Sequence, residues 1–319
     1  MTHAELFHAQ QSLKRIMNKL IIQMDDPESF NPLTDSTIAL AIEAQARSME
    51  VFYYTPNQIA AANGTIEAQL RPITFFADKS ENFFERGEAF TIDLEEAHTI
   101  LIRQDPPYNM EYLGCTWLLE RLKKPKIWNN PTAIRNHPEK IFPLEFPEFL
   151  PATCISADRT TLKRFHNKHE VVVMKPLYGF GGAEISLLQK GDTLPKGEFS
   201  EPMILQEYLP EVMTEEKRIM LINGKIVAGY NRRPPEGDFR TNMAIGGSAH
   251  AATLTPRQTE IAEAVGKHCA AKGLLFVGID IIGDYLVEIN TTCPTGIPAV
   301  KKLYNTDIAK IFWDEANQC

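Results

Sequence analysis

Asp280, Glu288 and Asn290 are three oxygen-bearing side chains in an otherwise apolar stretch, Phe276 to Asn290, FVGIDIIGDYLVEIN. The stretch reads as two β-runs joined through a tight Gly283-Asp284 turn. Glu288 and Asn290 are two apart on one strand, so they leave the same face. With a three-residue loop, Gly283 to Tyr285, Asp280 pairs with Glu288 across the ladder; with a two-residue loop it lands on the other face. The longer loop gathers two carboxylates and an amide oxygen into one all-oxygen cluster. Such a cluster suits Mg²⁺, which usually keeps substrate phosphates among its ligands. The competing reading is an acidic edge hairpin facing water. Ile279, Ile281, Ile282, Leu286, Val287 and Ile289 argue against it.

Two further stretches carry chemistry suited to an anion. VVVMK, Val171 to Lys175, ends a β-run on a lysine and enters PLYGFGGAEISLL. Gly179, Gly181 and Gly182 allow successive backbone N–H groups to turn toward one anion. No GxxxxGK[ST] is present, so this is not a Walker A loop, and an ordinary glycine hairpin is the alternative reading. The long segment NRRPPEGDFRTNMAIGGSAH carries Arg232, Arg233, Arg240, Asn242 and the Gly246-Gly247 pair. Long loops inside a domain are often lids, and arginines in an acidic chain suit an anionic ligand. A flexible surface loop is the alternative.

The chain has 319 residues and a formal net charge of -8, with no dense Lys/Arg run, which argues against nucleic acid or an anionic membrane as main partner. Length suggests roughly two domains. Five scattered cysteines without a CxxC make a disulfide framework or zinc site a poor fit and point to a reducing cytoplasm. No apolar run approaches the ~20 residues of a membrane span. Met1 to Asn18 lacks the apolar core of a secretory signal and reads as a short extension.

The elements that must position these groups follow in order. KLIIQM (Lys19 to Met24) reads as a buried strand. IALAIEAQARS reads as a helix capped by Asp35, Ser36 or Thr37. Val51 to Tyr54 and Thr99 to Arg103 are further strands, so the first part is an open α/β domain. Asn63 to Thr91 reads only as a hairpin with polar excursions. The charged loop Ile102 to Tyr108, IRQDPPY, ends a buried strand, where open α/β sheets place ligands. Glu111 to Leu122 reads as a helix, Ile127 to Asn130 as a short strand, and Pro131 to Phe142 as a helix carrying Lys140. Met203 to Tyr208 is a strand, and Arg218 to Tyr230 a hairpin through Asn223-Gly224. Thr255-Pro256-Arg257-Gln258 opens a helix with a capping box, which Gly273 stops; His268 and Cys269 on it read as surface and packing residues. TTCPTGIPAVKKLYNTD then leads to a last helix, Ile308 to Asn317.

Taken together, IRQDPPYNMEYL, NPTAIRNHPEKIF, MKPLYGFGGA, QEYLPE, KRIMLINGK, FRTNMAIGG and FVGIDIIGDYLVEINTTCPTG resemble, in order, the ATP-grasp ligases and more narrowly the bacterial glutathione synthetases. The resemblance implies an N-terminal open α/β (pre-ATP-grasp) domain followed by a two-lobed α+β ATP-grasp fold. Its division would be an extension over 1–17, a peptide-side domain over 18–137, a first lobe over 138–205 with the glycine loop, and a second lobe over 206–319 with the Mg²⁺ site and a lid over 231–250. Carried over by residue, Lys140 and Lys175 hold phosphates and the loop with Gly179, Gly181 and Gly182 folds over the nucleotide. Glu207 and Leu209 meet the adenine, Glu216 the ribose, and Asn242 belongs to the ATP site. Asp280, Glu288 and Asn290 hold Mg²⁺, with Mn²⁺ the alternative. Arg218, Arg232 and Arg240 face the γ-phosphate and the acyl phosphate. Arg103, Asp105, Thr295 and Gly296 line the peptide site.

The implied reaction joins glycine to γ-glutamylcysteine with ATP, through an acyl phosphate, in a cytoplasmic homotetramer. Such chemistry needs charge stabilisation and alignment rather than a protein nucleophile, so Cys293 reads as structural. Two departures from the family pattern lie on the substrate side: Ser248 follows the Gly-Gly pair where a basic residue is usual, and Pro298 stands in a segment where the family has an arginine. They keep open another ATP-grasp carboxylate–amine ligase with a different acceptor. A non-catalytic ATP-binding module is the remaining alternative, against which the full set of ligand-type residues argues.

Overall fold

The computed structural model describes residues 19–77, 79–179, 181 and 184–318; Gly182 and the extension over 1–17 lie outside the described residues. The first sheet holds β1 (Lys19–Gln23), β2 (Glu50–Tyr54), β3 (Ile59–Ala62), β4 (Thr65–Phe75), β5 (Phe84–Arg86), β6 (Phe90–Asp93), β7 (Thr99–Ile102) and β8 (Lys126–Trp128). Its order is β3-β4-β2-β1-β7-β8, with β5 and β6 also paired to β4. β2, β1, β7 and β8 run parallel. Leu20, Ile21 and Ile22 are all fully buried, as a strand covered on both faces requires.

α1 (Ser36–Ala46) crosses from β1 to β2, and Asp35 is its cap: the carboxylate accepts from Thr37 N at 2.6 Å and Ile38 N at 3.0 Å. Strand order reverses between β1 and β7, so the Arg103 to Tyr108 loop leaves the sheet at a switch point. α2 (Met110–Leu119) follows it. The Asn63 to Thr91 region resolves into β3 and the long β4, joined by an Asn63-Gly64 turn with both φ positive, and then β5 and β6. The expected helix over Pro131 to Phe142 is shorter: α3 (Pro131–Asn136) stops before His137-Pro138, because a residue preceding proline is driven out of the helical region. Lys140 therefore sits in a link, not on a helix.

The second sheet is antiparallel, order β11-β10-β12-β9, with β9 (Thr153–Ser156), β10 (Val171–Pro176), β11 (Ser186–Gln189) and β12 (Met203–Glu207). α4 (Arg159–His166) covers it, burying Leu162 against Val172 and Leu205. The third sheet, order β15-β14-β13-β16-β17, holds β13 (Glu216–Ile222), β14 (Lys225–Arg233), β15 (Ser248–Ala251), β16 (Phe276–Ile282) and β17 (Tyr285–Asn290). α5 (Pro256–Ala271) covers one face through Ile261, Ala262 and Val265, and begins with the capping box at Thr255 and Gln258.

The segment after β17 contains a short helix, α6 (Ile297–Tyr304), ahead of α7 (Ile308–Ala316). Pro298 stands in the first turn of α6, where its missing N–H has no helical partner to lose. Both helices tie the third sheet to the first. Trp313 Nε1 donates to Leu40 O at 2.9 Å, and Phe312 meets Phe276 edge-on.

Candidate active site

The β16–β17 turn has two residues, Gly283-Asp284, yet Asp280 pairs with Glu288. A register shift between Asp280 and Ile281 reconciles the two. Ile281 pairs with Leu286, so Val287 is the extra residue of a bulge that returns Glu288 to the face of Asp280. Cross-strand register adds Arg218 beside Asp280, Tyr230 beside Arg218, and Arg232 beside Glu216. Asn290 faces Gly278, where a Cβ would lie 3.3 Å from Arg218 Nη1; glycine leaves the guanidinium its berth.

Asp280 is 1% exposed and is the hub of this floor. Arg218 donates to it through Nε at 2.6 Å and Nη2 at 2.9 Å, the fork geometry that suits a carboxylate. Arg232 Nη2 reaches the same Oδ2 at 2.9 Å and Glu216 Oε1 at 2.8 Å. Burial alone would raise the Asp280 pKa, but Arg218 and Arg232 outweigh it and hold it at about 2. Burial keeps Glu216 above its ordinary value despite Arg232. Arg232 Nε is buried without a hydrogen-bond partner among the described residues. The sign for Asp280 is that of a depressed acid: its contribution to folding is complete above an unfolded pKa of about 4 and is lost as pH falls toward about 2. Unfolding followed by circular dichroism from pH 5 to pH 2 should show stability falling in that window, and Asp280→Asn should flatten that part of the profile.

Two adjoining cavities open above the floor. The larger, about 400 Å³, is lined by Asp105, Glu139, Lys140, Lys175, Gly179, Gly181, Arg218, Arg232, Asn242, Glu288, Asn290, Cys293 and Thr295, among others. The smaller, about 120 Å³, is walled by Val173, Ile185, Leu209, Val212, Ile282 and Val287, with Glu207, Glu216 and Arg240 at its polar edge. Lys175, Arg232, Asn242 and Glu288 border both. An apolar slot beside a chamber bearing Lys140, Lys175, Arg218 and Arg232 fits a base and its polyphosphate. Lys175 is buried at the end of β10, with Gln206 Oε1 at 3.4 Å; burial lowers its pKa. Lys140 Nζ donates to Gly179 O and lies 3.6 Å from Glu288 Oε1, so it ties the glycine loop to the third sheet. A Cβ at Gly179 would lie 2.6 Å from Pro176 Cγ, which reserves that position for glycine.

The donor set fits a hard divalent cation. Glu288 and Asn290 border the larger cavity, with Asp280 directly beneath. Asn290 uses its amide nitrogen toward Asp280 Oδ2 at 3.2 Å and Gly278 O at 3.3 Å, which leaves its oxygen for a cation. Among the described residues no cluster of three or more His, Cys, Asp or Glu forms a metal cage. Two carboxylates and an amide suit Mg²⁺, which completes its shell with water and phosphate.

The other expected residues fall into three groups. Arg218 and Arg232 converge on the floor, whereas Arg240 is paired with Asp238, Nη2 to Oδ2 2.7 Å, within the loop over the smaller cavity. Arg232 and Arg233 belong to β14 rather than to the loop, which runs from 234 to 247. Asp105 and Thr295 border the larger cavity. Arg103 does not: it is 2% exposed, donating to Thr37 Oγ1 at 3.0 Å and Pro294 O at 2.9 Å. Gly296 caps α6, and its N–H donates to Ser36 Oγ at 3.0 Å. Ser248 starts β15, its Oγ 2.8 Å from His250 Nε2.

Glu139 was not singled out from sequence. Its Oε1 accepts from Thr291 N at 2.9 Å, Thr292 N at 3.0 Å and Thr292 Oγ1 at 2.7 Å, pinning the turn after Asn290. Burial and Glu288 raise its pKa. Glu139→Ala should lower kcat about tenfold or more and loosen the turn, since three bonds to a charged acceptor are lost. Glu139→Gln retains an acceptor oxygen and should recover part of that loss in the same steady-state assay. Tyr230, buried beside Arg218, was likewise unread. Its place on the floor depends on strand register, which the sequence does not state.

Comparison with known proteins gives the family and the fold. The family model for the prokaryotic glutathione synthetase N-terminal domain matches residues 18–135, and that for the prokaryotic glutathione synthetase ATP-grasp domain matches 139–305. A glutathione synthetase of Brucella melitensis is 41% identical over 304 residues, 93% of this chain and 97% of that protein. One of Rhodopseudomonas palustris is 40% identical over 304 residues, with the same two coverages. Among solved structures, D-cycloserine synthetase DcsG superposes with TM-score 0.64 at 12% identity, covering 94% of this chain and 99% of its own. The ATP-grasp ligase PsnB, complexed with a phosphomimetic variant of minimal precursor, Mg and ADP, gives TM-score 0.62 at 17% identity over 94% and 97%. These structural likenesses establish the fold, and the sequence matches from residue 18 to residue 305 go further: the chain belongs to the prokaryotic glutathione synthetase family.

Proposed function

We propose that this chain joins glycine to γ-glutamylcysteine at the expense of ATP, giving glutathione, ADP and phosphate, and that it does so as a cytoplasmic homotetramer. The observation that carries the reading is the pair of adjoining cavities bordered by Lys175, Arg232 and Glu288, in a chain of this family. The adenine lies in the smaller cavity near Glu207 and Leu209, with Glu216 at the ribose. Lys140, Lys175 and the glycine loop hold the phosphates, and Asn242 lies along them. Asp280, Glu288 and Asn290 would hold Mg²⁺, which would supply positive charge against the phosphates. The working division is 18–137 for the peptide side, 138–205 for the first lobe and 206–319 for the second.

The peptide enters past Asp105, Thr295 and Gly296; Arg103 supports this wall from behind by holding the Pro294 carbonyl. A carboxylate oxygen of the cysteinyl residue attacks the γ-phosphorus and ADP leaves with the bridging oxygen's electrons. Arg218 and Arg232 stabilise the charge that develops, and the 234–247 loop keeps water from the acyl phosphate. The glycine amine, having lost a proton, then attacks the carbonyl carbon, and phosphate departs with the C–O bonding pair. The acyl phosphate has a direct test. Peptide labelled with ¹⁸O in the cysteinyl carboxylate should deliver one label to inorganic phosphate. Unlabelled phosphate from a productive turnover would rule the intermediate out.

A further inference from the structure

Tyr230 pairs across the ladder with Arg218 and shares a face of the third sheet with Arg232 and Asp280. Its ring belongs to the apolar cluster that includes Met220, Ile297 and Val300, and the residue is 2% exposed. It also borders the larger cavity. Among the described residues no hydrogen bond engages its hydroxyl. By contrast, the Tyr54 hydroxyl donates to Gln23 Oε1 at 2.8 Å and the Tyr304 hydroxyl to Gly229 O at 2.7 Å. The Tyr112 hydroxyl is also without a partner, but it is sealed from solvent and Tyr112 borders neither cavity. Burying a hydroxyl without a partner is destabilising. Phenylalanine would pack the same ring without that cost, so the fold gives no reason for the oxygen. The hydroxyl does have a defined neighbour. Gly296 has a φ of +121°, and a Cβ there would lie 2.6 Å from Tyr230 Oη. Glycine lets the Thr295-Gly296 turn settle against it. Arg218 Nη1 lies 3.4 Å from the Thr295 carbonyl of the same turn, while Nε and Nη2 are held by Asp280.

We propose that Tyr230 is a catalytic residue whose hydroxyl donates a hydrogen bond to the carbonyl oxygen of the acyl phosphate as the acceptor amine attacks. The inference rests on the ligase reading above. In that reading the phosphate arrives from the side of Lys175 and Arg232 and the peptide from the side of Asp105 and Thr295. The reacting carboxyl then lies where the two meet, beside Arg218 and Tyr230. On attack the C–N bond forms and the carbonyl π pair moves onto oxygen. That pair returns as the C–O bond to phosphate breaks. Tyr230 keeps its proton throughout, as a phenol does at neutral pH. A donor fixed where charge develops stabilises the transition state more than the ground state. Arg218 supplies positive charge there, but two of its donors are spent on Asp280. The hydroxyl adds a directional donor that is not spent.

Steady-state kinetics and thermal unfolding of Tyr230→Phe beside the wild-type chain test it. The expected result is a kcat lower by about 10- to 100-fold with the KM for ATP nearly unchanged. The melting temperature should hold or rise, because the variant loses only an unpaired buried hydroxyl. An unchanged kcat would overturn this inference and leave the ligase reading standing. A lower kcat accompanied by a lower melting temperature would make the hydroxyl part of the fold and overturn it as well. A wild-type chain that makes no glutathione in the complete mixture would instead overturn the ligase reading, and this inference with it.

Discussion

Asp280→Ala is expected to remove ligase activity, by at least about 10³ in kcat, and to destabilise the fold by about 3–5 kcal/mol. Both effects come from one carboxylate. Arg218 and Arg232 are 4% and 5% exposed and both point at it. Without it, Arg232 keeps Glu216 and Arg218 keeps only the Thr295 carbonyl at 3.4 Å among the described residues, and breaking a buried pair leaves uncompensated buried charge. Activity falls for a separate reason: the arginines lose the anchor that aims them, and the cation set keeps only Glu288 and Asn290. Urea denaturation monitored by circular dichroism gives the first quantity and coupled ADP release the second. Asp280→Asn should recover part of the stability, through its remaining oxygen, and little of the activity.

Lys175→Met should separate those two effects. Lys175 ends β10 in the wall between the cavities, buried, with Gln206 Oε1 at 3.4 Å as its hydrogen-bond partner among the described residues and no carboxylate within ion-pair distance there. Its ammonium is already penalised by burial, which lowers its pKa. Methionine fills a similar volume without that penalty, so stability should hold or rise by about 1 kcal/mol or more. The phosphate chamber, however, loses a fixed positive charge, and turnover should drop about 10²–10³-fold, with weaker ATP binding. Thermal unfolding and ATP titration on the same preparation check both signs. A large loss of stability would show that the lysine charge is compensated in the fold in a way the hydrogen bonds do not reveal.

How far the sequence announced this site differs residue by residue. The oxygen cluster was legible because Asp280, Glu288 and Asn290 break an apolar run. The register was not, because it rests on a bulge at Val287, and a two-residue turn alone would have sent Asp280 to the wrong face. The Asn223-Gly224 hairpin was read directly, while the same dipeptide at Asn63-Gly64 went unread amid polar neighbours. Helix boundaries failed where proline decided them. His137-Pro138 ended α3 early, and Pro298, noted only as a departure, sits in the first turn of a helix. Arg103 looked like a ligand residue because it ends a strand at the switch point. Only the tertiary partners, Thr37 and Pro294, show its guanidinium is already engaged. Glu139 was hidden by its neighbour Lys140, since its partners Thr291 and Thr292 lie more than 150 residues away in sequence.

The central claim, that this cleft ligates glycine to γ-glutamylcysteine, is tested most directly by incubating the enzyme with Mg-ATP, γ-glutamylcysteine and glycine, omitting each in turn, and following ADP together with the product mass. The account predicts the mass of glutathione, stoichiometric with ADP, only in the complete mixture. ATP binding without a glutathione product in that mixture, or the same ADP release whether or not the peptide is present, would contradict it.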